Sequence, residues 1–121
     1  MGTALVVDDS LTEQKIIRSC LEKEGINVLI ASSGEEALEK VKSTRPDVIV
    51  LDVVLPGRSG FEICRQLKAE ASTSTIPIII CSTKGSEMDK FWGMKQGADA
   101  YIPKPIDQAE FVQTVKQLIK Q

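Results

Sequence analysis

Three aspartates at two places in the chain carry the clearest chemistry: the adjacent pair Asp8-Asp9 and the single Asp52. Each place follows a short apolar run, Ala4-Leu5-Val6-Val7 or Val48-Ile49-Val50-Leu51, so each stands where a strand would end. If the fold gathers the three, repulsion is large. Two like charges about 4 Å apart cost about 4 kcal/mol at an effective dielectric of about 20, and three pairs compound the cost. A proton, a lysine or a divalent cation must offset it. Hard carboxylate oxygens with room for water suit Mg²⁺, which keeps several waters and takes one or two protein carboxylates. Two further runs end in complementary groups: Cys81-Ser82-Thr83 offers a hydroxyl, and Pro103-Lys104-Pro105 an ammonium. A metal ion, a hydroxyl and an ammonium around a carboxylate would suit the oxygens of a phosphoryl group. Taken singly, a strand-ending Asp or Ser is common and a lysine is usually solvated. Convergence is what would make them a site.

Convergence depends on the elements that hold them. Strand-like runs at 4–8, 27–31, 47–52, 76–82 and 100–102 alternate with segments of helical period. The third and fourth runs are apolar on both faces, as central parallel strands are when helices cover both sides of a sheet. The helical segments show apolar faces at Ile17, Cys20 and Leu21; at Ala37, Leu38 and Val41; at Phe61, Cys64 and Leu67; and at Phe111, Val112, Val115, Leu118 and Ile119. Capping-box spacing marks their starts at Ser10…Glu13, Ser33…Glu36, Ser59…Glu62 and Asp107…Glu110. Gly25 and Gly97 stand where helix ends need a left-handed residue. Phe91 and Trp92 are neighbours on the fourth helix, which predicts one facing inward and the other outward.

Five such units predict a doubly wound α/β fold, a five-stranded parallel sheet in the order 2-1-3-4-5. Ligands of such sheets bind beyond the carboxyl ends of the strands where the order reverses. Here that is between the first and third strands, the place of Asp8, Asp9 and Asp52.

Bulk properties exclude much else. The 121 residues fit one domain, and 42% hydrophobic with 26% charged residues is an ordinary globular composition. With a net charge of −2 and no Lys/Arg block, neither nucleic acid nor an anionic membrane finds an electrostatic footprint. No apolar run nears the roughly 20 residues of a membrane-spanning helix, and no signal peptide is expected. Three scattered cysteines without a CxxC predict reduced thiols and a cytoplasmic location. There is no histidine, so none serves as general base, metal ligand or phosphoryl carrier.

Five motifs together resemble the response-regulator receiver family along the whole chain: Val7-Asp8-Asp9-Ser10; Leu51-Asp52-Val53-Val54-Leu55-Pro56-Gly57; Gly60; Ser82-Thr83; and Ala98-Asp99-Ala100-Tyr101 followed by Lys104-Pro105. The resemblance implies a flavodoxin-like (β/α)5 fold with Asp52 as phosphoacceptor. It implies Mg²⁺ held by Asp9, Asp52 and the main-chain carbonyl of Val54, with Asp8 acting through water. Ser82 would hydrogen-bond the phosphoryl oxygens and Lys104 would pair with them. Tyr101 matches the aromatic residue that swings inward when that hydroxyl is recruited. Residues 84–97 are similar to stand-alone receivers of twitching-motility and phototaxis systems.

The expectation is a two-component response regulator, a single receiver domain over 1–121 with no output domain, a monomer or weak dimer. Without a histidine of its own, it would take the phosphoryl group from a partner histidine kinase or phosphotransfer protein. It would signal to a protein effector through the face of helix 4, strand 5 and helix 5. It would not be an enzyme beyond Mg²⁺-dependent self-phosphorylation and slow self-dephosphorylation. Rival readings are a pseudo-receiver acting as a constitutive docking module and an aspartyl-nucleophile hydrolase, whose usual second Asp is replaced by Val54. A nucleotide switch lacks its GxxxxGK[ST] loop.

Overall fold

Backbone hydrogen bonding divides residues 2–119, which the computed structural model describes, into alternating strands and helices. In chain order these are β1 (Thr3–Val7), α1 (Leu11–Glu22), β2 (Asn27–Ala31), α2 (Gly34–Thr44), β3 (Val48–Leu51), α3 (Gly60–Ala69), β4 (Ile78–Ser82), α4 (Glu87–Lys95), β5 (Ala100–Pro103) and α5 (Gln108–Ile119). The strands form one parallel sheet in the order β2-β1-β3-β4-β5, as the alternation predicted. Val7 pairs with Ala31 on one side and Leu51 on the other, and Ser82 pairs with Pro103. Asp8, Asp52, Ser82 and Lys104 therefore leave the sheet at the same carboxyl edge.

The apolar runs of the central strands feed two separate cores. One gathers Leu5, Val7, Ile49, Leu51, Ile78 and Ile80 with Ala37 and Val41 of α2 and Ile63, Cys64 and Leu67 of α3. The other gathers Ala4, Val6, Val48, Val50, Ile79 and Cys81 with Ile17, Cys20 and Leu21 of α1 and Phe111 and Val115 of α5. Each large side chain so buried contributes about 1.5–3 kcal/mol. β4 begins at Ile78 rather than 76 because Pro77 has no N–H for the ladder. Its carbonyl still accepts from Ile49 N–H at 2.9 Å.

The hydroxyls of Ser10, Ser33 and Ser59, and Oδ1 of Asp107, accept from the N–H three residues on, as predicted. The capping box closed from both sides, however, is Ser86–Asp89, which the sequence reading did not mark. Gly25 and Gly97 have the left-handed φ expected of them, 77° and 103°. α2 ends instead on Arg45 with φ 45°.

One expectation is overturned. Phe91 and Trp92 both face solvent, 58% and 52% exposed, alongside exposed Met88 and Met94. Neighbouring residues are only about 100° apart on a helix, so both fit on its outer half. α4 rests on the fold through Gly93, its one buried residue. Among the described residues, no helix is long and apolar enough to cross a membrane.

Candidate functional site

The carboxyl edge gathers the three aspartates, with one carboxylate oxygen of each within 4.8 Å of the others. Asp8 is 1% exposed. Its Oδ1 accepts from Ser10 N–H at 2.9 Å and its Oδ2 from Lys104 Nζ at 2.6 Å. Asp52 is also buried; its Oδ1 accepts from Val53 N–H at 2.7 Å, and Lys104 Nζ donates to its Oδ2 at 3.3 Å. Asp9 is exposed, and its carboxylate has no hydrogen-bond partner among the described residues.

The Lys104 side chain is 5% exposed. Burial opposes its charge, but the bonds to Asp8 and the charge of Asp52 outweigh burial and raise its pKa. Here, then, the lysine offsets the acidic repulsion, and one ammonium faces two buried carboxylates. Asp9 remains uncompensated at the mouth. An all-oxygen donor set, open on the side of Asp9, fits a hard divalent cation.

Backbone geometry fixes the position of Asp52. Gly60 N–H donates to the Val53 carbonyl at 2.8 Å, and a Cβ at Gly60 would lie 1.9 Å from the Asp52 carbonyl oxygen. Only glycine lets α3 start this close beneath the peptide that carries Asp52.

Across the edge, Ser82 is fully buried and its hydroxyl accepts from Lys84 N–H at 3.2 Å. The Tyr101 hydroxyl donates to the carbonyl of the same Lys84. Burial first, then the charges of Asp89 and Asp52, push the Tyr101 pKa up to about 12, so it remains a neutral donor.

The family model of the response regulator receiver domain matches residues 4–116. The chain belongs to this family. Protein PilH of Pseudomonas aeruginosa is 42% identical over 119 residues, which cover 98% of both chains. The receiver domain of Francisella response regulator 1452 has a TM-score of 0.91 at 32% identity, covering 99% of this chain and 98% of that one. The receiver domain of sensor histidine kinase PA1611 of Pseudomonas aeruginosa, solved with magnesium coordinated in its active-site cleft, has a TM-score of 0.90 at 25% identity, with coverage of 99% and 98%.

The receiver thus unites Asp8, Asp52 and Lys104 in direct contact, with Asp9 beside them. Ser82 and Tyr101 meet instead at Lys84, and Val54 stands 53% exposed at the rim. Three residues at the site escaped the sequence reading. Gln14 is buried and donates to the Asp8 carbonyl at 2.6 Å. Glu13, read only as a capping acid, approaches Lys104 at 4.0 Å. Both lie on the first turn of α1, directly after the acidic pair. Gly93 lies under the Tyr101 ring, and a glycine inside a helix was the signal for it.

Proposed function

We propose that this receiver takes a phosphoryl group onto Asp52 from a phosphohistidine on a partner kinase or phosphotransfer protein, and passes the signal to a protein effector. The observation that carries the reading is the contact of Lys104 with both Asp8 and Asp52 inside a three-acid pocket. The Asp52 carboxylate attacks phosphorus in line, and the new O–P bond forms as the P–N bond breaks. The electron pair stays with the departing imidazole. Val53 N–H holds the carboxylate in place during attack. Lys104 exchanges its bond with Asp8 for the incoming phosphoryl oxygens. Mg²⁺, held by Asp9, Asp52 and the Val54 carbonyl with Asp8 acting through water, would neutralise charge on the transferring group.

The Ser82 hydroxyl accepts from Lys84 N–H, so its own proton is available to a phosphoryl oxygen. Moving toward that oxygen releases the Lys84 N–H and vacates space beside Tyr101, which favours the ring whose hydroxyl holds the Lys84 carbonyl. The change reaches the face of α4, β5 and α5, where an effector preferring one state reads it. A cytoplasmic setting in motility or taxis control is supported by the character of residues 84–97 and by full-length likeness to PilH.

Incubation with acetyl phosphate and Mg²⁺ should load one base- and hydroxylamine-labile phosphoryl group, and Asp52→Asn should abolish it. Stoichiometric labelling of another aspartate in that variant would displace Asp52. A wild-type chain that takes no phosphoryl group, yet binds its partner, would establish the docking module instead.

A further inference from the structure

Helix α4 is amphipathic the wrong way round. Met88, Phe91, Trp92 and Met94 face solvent, while the half-buried side carries Asp89, Lys90 and Gln96 around the buried Gly93. At Gly93 an ideal Cβ would lie 2.7 and 2.8 Å from two carbons of the Tyr101 ring and 3.1 Å from Cδ1 of Ile80. The ring therefore lies flush against the helix backbone, its hydroxyl anchored on the Lys84 carbonyl. The ring takes its place while Ser82 is still engaged by Lys84 N–H.

We propose that Gly93 is a positioning residue that sets the bias of the Tyr101 switch: its missing side chain is the seat in which the ring rests and through which α4 is held to β5. This rests on the reading of Tyr101 as the reporter of phosphorylation. Any larger residue at 93 evicts the ring, breaks its bond to Lys84 and loosens α4. By reciprocity, a phosphoryl group that favours the seated ring binds less well when the seat is filled.

Alanine inside a helix is ordinarily about fivefold more favourable than glycine, so the seat predicts a reversal of sign that depends on Tyr101. Four full-length proteins test it: wild type, Gly93→Ala, Tyr101→Ala and the double variant. Amide hydrogen exchange across α4 is measured without phosphodonor. The fluorescence of Trp92 on the same helix follows titration with beryllofluoride and Mg²⁺. Gly93→Ala should speed α4 exchange several-fold in the wild-type background and slow it about fivefold in the Tyr101→Ala background. It should weaken beryllofluoride binding several-fold with Tyr101 present and leave it unchanged without Tyr101.

Slower α4 exchange on Gly93→Ala in both backgrounds overturns the seat. A seat confirmed by exchange, with beryllofluoride affinity indifferent to Gly93→Ala, overturns Tyr101 as reporter and leaves phosphorylation of Asp52 untouched. If Gly93→Ala does not fold but the double variant does, the ring is the obstacle and the seat stands. If neither folds, the obstacle is Ile80 and the proposal fails.

Discussion

Neutralising Asp9 should stabilise the metal-free receiver, because this carboxylate adds repulsion to the pocket without making a hydrogen bond among the described residues. Taken at the 4.8 Å limit of the cluster, each like pair repels by about 3.5 kcal/mol at an effective dielectric of about 20, and by about 0.9 kcal/mol in bulk water. Asp9 is exposed, so the lower figure governs. Two repulsions, from Asp8 and Asp52, sum to about 2 kcal/mol, and attraction to Lys104 takes back about half. Asp9→Asn should therefore gain about 1 kcal/mol, or about 3–5 °C in Tm for a domain of this size. Asp8→Asn should do the reverse and cost about 1–3 kcal/mol, because it takes the negative charge out of the shortest bond of the buried Lys104. Thermal and urea melts in EDTA read both signs. Melts repeated with Mg²⁺ should show wild type gaining most and Asp9→Asn losing most of that gain, with Asp8→Asn between them. Lower stability of Asp9→Asn in EDTA, or higher stability of Asp8→Asn, would refute the assignment of Lys104 as the charge offset.

Val54 is exposed at the rim and cannot bond an attacking water, while protonated Lys84 can donate but not accept. The double change Val54→Asn with Lys84→Glu should speed loss of label from phosphorylated Asp52 about tenfold, equal to about 1.4 kcal/mol of barrier; an unchanged rate places control of water elsewhere. Gly60→Ala puts a methyl on the Asp52 carbonyl and should cost about 3 kcal/mol or more in urea melts, since backbone rather than a flexible side chain must yield. Burial pushes the thiols of Cys64 and Cys81 up from the ordinary 9.0 to about 11 and about 12. Iodoacetamide should modify neither at neutral pH until the chain unfolds. Because the folded state favours the neutral thiols, stability should be complete below about pH 9 and fall as pH rises toward 12.

The sheet was legible because its central strands are apolar at every position, a pattern that helices on both faces require, and because serines stand three residues before acids at the helix starts. The acid pocket followed from the topology: once strand order is known, residues that end β1 and β3 must meet. α4 was not legible. Its large apolar side chains suggest a buried stripe, but the contact that seats it is a glycine against a ring from β5, and a residue without a side chain leaves no hydrophobic signal. Glu13 and Gln14 were hidden for another reason. On a first helical turn such residues serve as caps or solvated groups, and only the position of Lys104, far away in sequence, gives them a second role. The resting partners of Ser82 and Lys104 depend on side-chain rotamers, which residue type does not dictate.

The same doubly apolar strands carry a consequence for how the chain finds its pairing. A slip by one residue exchanges the two faces of a strand, and usually that exposes apolar side chains and is rejected. In β3 and β4 a slip would merely swap Val50 for Leu51, or Ile79 for Ile80, between two cores that are equally greasy. Hydrophobicity therefore cannot hold the register, and the polar ends must do so. Asp47 Oδ2 accepts from Thr3 N–H at 2.8 Å where β1 begins, and Asp99 Oδ2 accepts from Ile78 N–H at 2.8 Å where β4 begins. These acids at the amino edge act as alignment pins. A displacement of one residue there would move Asp52 by about 3.3 Å along its strand and turn its side chain to the opposite face, so the precision of the three-acid pocket is set at the far end of the sheet.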